Sequence, residues 1–169
     1  MASDAGRADL EQFCRDQYPR LVAMISLYCR EPSIAEDLAQ ETLERACASW
    51  SKVRAMDDPA AWTWRVARNL AHSTFRRRAA ARRALARVES RPRNDDAPDL
   101  AAAVHLRAAL AALPPRQREA LILRYLDDRS VLETARAMGC AEGTVKALSF
   151  QGLAALRAAG QDLETTDVQ

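Results

Sequence analysis

Glycine is scarce in this chain, five in 169 residues, and aromatic side chains make up only 5% of it. Alternating runs of β-branched residues are absent as well. These gaps exclude a sandwich or barrel, which needs both the strands and the turns between them. No apolar run approaches the ~20 residues of a membrane span. The first residues, M-A-S-D-A-G-R-A-D-L, contain no apolar signal core, so the expectation is a soluble cytoplasmic protein without membrane insertion. The four cysteines (Cys14, Cys29, Cys47, Cys140) form no C-x-x-C pair, and His72 and His105 stand apart from them. Buried free thiols are expected, with neither zinc nor a disulfide. A glycine-rich phosphate loop, a metal-ligand cluster and a nucleophile–base pair are also missing. The chain therefore reads as a non-enzyme without a cofactor.

What is present is helix-forming. Alanine, leucine and valine dominate, and the length suits one average domain or two small ones. Net charge is only +2, but its distribution is uneven. Met1 to Gln40 holds four basic and seven acidic residues, whereas Trp62 to Arg93 holds ten basic residues against Glu89 alone. From Asn94 onward, eight basic residues face eleven acidic ones. The positive field sits in one segment.

That segment is D-D-P-A-A-W-T-W-R-V-A-R-N-L-A-H-S-T-F-R-R-R, from Asp57 to Arg78. An Asp N-cap with proline at the first helical position predicts a helix start. At about 100° per residue, Trp62, Trp64, Val66, Ala67, Leu70 and Ala71 fall on one apolar arc. Arg65, Arg68, Asn69, His72 and Arg76 fall on the other, and Arg77, Arg78, Arg82 and Arg83 prolong the positive run. A single exposed arginine is usually a solvated charge. A register of this length, with no acidic residue between Asp58 and Glu89, points instead to nucleic acid.

Before this stretch, Ala8 to Arg30 predicts one or two helices, the second starting near Pro19. Ser33 and Glu36 have capping-box spacing ahead of a long helix ending at Trp50. Ile34, Leu38, Thr42, Ala46 and Trp50 share its inner face, with Leu43 and Cys47 beside it. Asp37, Gln40, Glu41 and Glu44 form an acidic outer stripe, either a solvated face or a dock for a basic partner. A polar connection, S-K-V-R-A-M-D-D-P, then leads to the basic helix, making a bundle of three or four helices. After it, the Ala/Arg run decays into the linker E-S-R-P-R-N-D-D-A-P-D.

The second unit begins near Leu100. Val104, Leu106, Leu110 and Leu113 predict an amphipathic helix stopped by Pro114-Pro115, and a further helix runs from Pro115 to Asp127-Asp128. Ser130 and Glu133 form a second capping box. Ala135, Gly139 and Val145 have helix-turn-helix spacing, which also occurs in hairpins that never meet DNA. Gly160 to Gln169 reads as a frayed tail.

In their order, these stretches resemble the bacterial sigma factors of the extracytoplasmic-function group, over nearly all of Phe13 to Arg157. A-E-D-L-A-Q-E-T-L-E-R-A is similar to the family's core-polymerase-binding helix. P-A-A-W-T-W-R-V-A-R-N-L-A-H-S-T-F-R-R-R is similar to its minus-ten promoter helix. L-P-P-R-Q-R-E-A-L-I-L-R-Y through G-T-V-K is similar to its minus-thirty-five domain. The resemblance implies an all-α chain of two small helical domains joined by a flexible linker: 1–80, linker 81–99, a helix-turn-helix domain over 100–160, and a disordered tail over 161–169. It implies a transcription initiation factor whose partners are core RNA polymerase and promoter DNA. An anti-sigma factor is a common further partner in the family. The alternatives are a self-sufficient helix-turn-helix regulator and a degenerate sigma-like protein that no longer initiates.

By the same resemblance, Asp37, Gln40, Glu41 and Glu44 dock on polymerase. Trp62, Arg65, Arg68, Asn69, His72, Arg76 and Arg77 meet the minus-ten region. Asn69 is the candidate for a base contact and the arginines hold phosphates, while Trp62 and Trp64 are favoured for packing. The resemblance also implies that a flipped non-template base is held by the loop from about Ser51 to Asp58 and by the helix itself. Glu142, Thr144, Lys146, Ala147, Phe150 and Gln151 would face the minus-thirty-five element. Here the chain departs from the family pattern. Ala141 replaces the usual Ser or Thr N-cap, at about 1 kcal/mol, and Ala147, Leu148 and Gln151 occupy positions where Ser and Arg are usual. Weak or altered minus-thirty-five binding is expected.

Overall fold

The computed structural model describes residues 4–29, 32–84 and 100–166, and among these no strand occurs. The first unit comprises α1 (Asp4–Tyr28), a single 3-10 turn (Pro32–Ile34), α2 (Ala35–Ala48), the short α3 (Trp50–Val53) and α4 (Pro59–Ala84). The second comprises α5 (Leu100–Ala112), α6 (Pro115–Leu121), a π turn (Ile122–Leu126), α7 (Val131–Met138) and α8 (Glu142–Thr166). The remainder of the expected linker lies outside the described residues.

In the first unit, α1 and α2 pack side by side and α4 lies across both. Leu21, Met24, Ile25 and Tyr28 of α1 meet Leu38, Ala39 and Leu43 of α2, and Trp64, Ala67, Leu70 and Ala71 of α4 close the core. Each large apolar side chain so buried contributes roughly 1.5–3 kcal/mol. Thr42 is also fully buried. Its hydroxyl donates to Leu38 O at 2.7 Å, so the polar atom is satisfied within its own helix.

Several expectations need correction. Pro19 starts no second helix: α1 runs straight through it. Its ring faces solvent, and the helix continues past it despite the lost hydrogen bond, with core residues such as Leu21, Met24 and Ile25 packed beyond it. The Ser33–Glu36 capping box does not form. A 3-10 turn fills that place, and Ile34 precedes α2 without any side-chain cap. The long helix breaks at Ser49, and the connection after it is partly helical because Val53 is fully buried. Cys47 and Leu106 are exposed rather than inward. The last helix continues to Thr166, past the start expected for the tail.

The second unit keeps the expected order, with one local change. The helix from Pro115 widens after Leu121 into a π turn, where Asp127 N–H reaches back to Ile122 O at 3.1 Å. The wider turn buries Ile122 and Leu123 and leaves Tyr125 and Leu126 outside. The two units share one core. Ala120, Ile122, Leu123, Ala135 and Val145 cluster with the first unit's Tyr28, Trp64 and Leu70. Helix α4 touches α7, and α1 touches α5 and α6.

Candidate nucleic-acid and polymerase interfaces

The start of α4 is set by Asp58, whose Oδ1 accepts the Ala61 N–H at 2.8 Å while Pro59 occupies the first turn. With Trp64, Ala67, Leu70 and Ala71 buried, helical periodicity turns Arg65, Asn69, Arg76 and Arg77 outward, and all four are exposed. Among the described residues no carboxylate pairs with Arg65, Arg76 or Arg77. Trp62 is half-buried at the edge of the stripe.

Two members of the stripe are already engaged. Arg68 donates to Glu119 Oε1 at 2.7 Å, leaving only 19% of its side chain exposed. His72 Nε2 lies 2.9 Å from the Tyr28 hydroxyl. Burial, then the neighbouring Arg68, lowers the His72 imidazole below its ordinary value, which keeps it neutral at pH 7. Burial, with the Glu119 carboxylate second, pushes the Tyr28 phenol up to about 12.

Glu119 is the hub of a polar seam between the two units. Its carboxylate, 1% exposed, also accepts from Arg116 at 3.2 Å and from the Trp64 indole at 3.4 Å. Beside it, buried Arg118 donates to the carbonyls of Leu110, Ala111 and Leu113 at 2.7, 2.9 and 3.0 Å. The same guanidinium reaches Tyr28 O, at the end of α1, at 2.6 Å. One arginine thus satisfies the orphan carbonyls that end two helices. A second bridge joins Arg129 to Asp58 and Asp127. Burial alone would raise the Asp58 carboxyl. The hydrogen bonds from Arg129 and Ala61 outweigh it and hold the group below its ordinary value. Sequence reasoning assigned no role to Arg118, Glu119 or Arg129.

On α2, burial of Leu38, Ala39, Thr42, Leu43 and Ala46 turns Asp37, Gln40 and Glu44 out to solvent, with Glu41 half-exposed. Gln40 donates to Glu44 at 3.2 Å, and Arg45 pairs with Glu41 at 2.7 Å. The stripe therefore keeps a net negative charge.

In the second unit the Ser130 capping box is complete. Glu133 N–H donates to Ser130 Oγ at 3.2 Å, and Ser130 N–H to Glu133 Oε2 at 2.7 Å. Gly139 adopts φ 63°, the left-handed turn that ends α7 and that a side chain would strain. Val145 is fully buried and anchors α8. Glu142, Thr144, Lys146, Ala147, Phe150 and Gln151 are all exposed along α8, Phe150 at 74%. Gln151 is tied back to Gln117 at 3.2 Å. Lys146 is the one cation of these six.

Comparison with known proteins agrees with this division. A family model described as Sigma-70 region 2 matches residues 14–81, and one described as Sigma-70, region 4 matches residues 104–156. RNA polymerase sigma-E factor of Streptomyces coelicolor is 28% identical, over 88% of this chain and 84% of that protein. ECF RNA polymerase sigma factor EcfG of Rhodopseudomonas palustris is 37% identical, over 66% of this chain and 63% of its own length. Among solved structures, the sigma factor RpoE in complex with the anti-sigma factor NepR, from Bartonella quintana, superposes with a TM-score of 0.75. It is 28% identical, and the match covers 89% of this chain and 95% of that one.

Proposed function

Because the chain belongs to the extracytoplasmic-function group of the sigma-70 family, and so is a non-enzymatic RNA polymerase sigma factor directing promoter-specific initiation, we propose that its first helical unit carries both polymerase docking and the minus-ten contact. Asp37, Gln40, Glu41 and Glu44 of α2 form the docking stripe for a basic surface of core polymerase. Arg65, Asn69, Arg76 and Arg77 of α4 lie along promoter DNA, with Trp62 at the edge. Arg68 and His72 join them when Glu119 and Tyr28 release them. The arginines hold phosphates and Asn69 pairs with a base edge.

The observation that carries this assignment is the outward row on α4. Its core-facing residues leave three arginines pointing to solvent with no carboxylate partner among the described residues. Such a row attracts a polyanion. On α8, Glu142, Thr144, Lys146, Ala147, Phe150 and Gln151 face the minus-thirty-five element. Lys146 is the one cation among these six, and exposed Phe150 suits contact with a thymine methyl. Promoter affinity therefore rests mainly on α4.

Residues 1–80 act as the region 2 domain, 81–99 as the linker and 100–160 as the region 4 domain, with 161–169 closing the chain; the two family matches support these limits. The protein works in the cytoplasm, where polymerase and promoters are, and no helix among the described residues is long and apolar enough to cross a membrane. An anti-sigma partner is supported by the similar RpoE, solved with one.

The test is affinity capture of core polymerase by wild type and by Asp37→Ala/Gln40→Ala, with run-off transcription from a promoter library. The double variant should keep its helical content and lose at least tenfold in core affinity, about 1.4 kcal/mol. Unchanged capture would remove the docking assignment.

A further inference from the structure

The four thiols are not equivalent. Cys14 on α1 and Cys47 on α2 have their Sγ atoms 3.9 Å apart, across 33 residues of sequence. Two contacts beside the pair, both made by Trp50 at the start of α3, tie the chain just after α2 to α1. The Phe13 and Trp50 rings meet at 5.0 Å between centroids, and the Trp50 indole donates to Gly6 O at 3.0 Å. Cys47 is exposed and Cys14 half-buried, whereas Cys29 is buried. Cys47 also follows Gln40 by seven residues and Glu44 by three, so it extends the outer stripe of α2 by one turn. We propose that Cys14 and Cys47 form a reversible oxidation site, closing to an intrachain disulfide in the free protein and sheltered when polymerase lies on α2. The sheltering rests on the docking stripe proposed above; the disulfide does not.

The oxidant is a peroxide, and the exposed thiol reacts first. The Cys47 thiolate attacks hydrogen peroxide, the O–O bond breaks, and hydroxide leaves as water after taking a proton, giving a sulfenic acid. Cys14 sulfur then attacks Cys47 sulfur. The S–O bond breaks, the S–S bond forms, and a second water carries off the oxygen with the Cys14 proton. Two thiols lose two electrons and two protons, and one peroxide becomes two waters. Burial first, then the Cys47 neighbour, pushes the Cys14 thiol up to about 11, so it does not start the reaction.

The experiment treats the reduced full-length chain with hydrogen peroxide and maps its peptides without reduction. Titratable thiols should fall from four to two, a Cys14–Cys47 linked peptide should appear, and dithiothreitol should restore all four. Cys14→Ser should leave Cys47 as a sulfenic acid that dimedone traps, and Cys47→Ser should leave Cys14 unoxidised. Four persisting thiols, or a product linked between chains through Cys47 with no intrachain peptide, would overturn the pair. Oxidation of preassembled holoenzyme should be several-fold slower. An equal rate would overturn the sheltering, and with it the placing of polymerase on α2, while the linked peptide still established the disulfide.

Discussion

Replacing Glu119 by alanine removes the acceptor shared by Arg68, Arg116 and Trp64. Glu119 is 1% exposed and Arg68 19%, so their pair is screened little by water. Breaking a buried pair from one side costs about 3–5 kcal/mol, because the remaining charge stays buried without its partner. Arg116 is 46% exposed and adds at most a few tenths. Arg68 can still turn partly toward solvent, which sets the expected loss near the lower bound, about 3 kcal/mol. For a chain of this size, that lowers the melting temperature by about 6–12 °C. Because the core is continuous between the two units, thermal unfolding followed by circular dichroism should show one transition moving as a whole. Glu119→Gln keeps the volume and an acceptor and should lose about half as much. Combined with Arg68→Ala, the alanine variant should show a coupling of at least about 1 kcal/mol. A loss below about 1 kcal/mol, strict additivity with Arg68→Ala, or two separated transitions would refute the seam as what joins the units.

The second bridge has a pH signature. The Asp58 carboxyl is held below its ordinary value of 3.8, so its contribution is full above that pH and disappears as pH falls through the folded value. Asp58→Asn retains a good N-cap and should melt below wild type at pH 7, with the gap closing as pH falls below 3.8 and through the folded value of the Asp58 carboxyl; a constant gap down the acid limb would contradict this. At the start of α8, Ala141→Ser supplies the missing cap and should raise stability by about 1 kcal/mol, or about 2–4 °C. An unchanged melt would show that the first-turn N–H groups of α8 are already satisfied.

The parts of this chain legible in its residues are those whose cause is local. Asp58-Pro59 marks the start of α4, its two arcs separate as helical periodicity requires, and Ser130, Glu133 and Gly139 cap α7 on both sides. The failures are also physical. Pro19 is tolerated because tertiary packing outweighs a single lost backbone bond, and Ser33 caps nothing because a 3-10 turn takes up that place. The seam was invisible because its partners are far apart in sequence: Arg118 reaches Tyr28 across 90 residues, Arg129 reaches Asp58 across 71, and Glu119 reaches Arg68 across 51. One signal was available. Helix α5 ends at Pro114-Pro115 with no glycine or asparagine beyond it, so its last carbonyls required a donor from elsewhere. Arg118 lies within reach of them. The thiol pair needed the register between two helices, which spacing along one helix does not contain.

The arginine row on α4 as the promoter-holding surface is tested most directly by the salt dependence of promoter binding, measured on holoenzymes carrying wild type or Arg65→Ala/Arg76→Ala. Two lost phosphate contacts should flatten the slope of log K against log salt by about 1.4–1.8, with core-polymerase affinity unchanged. An unaltered slope, with weakened binding traced entirely to a lower melting temperature, would contradict the assignment.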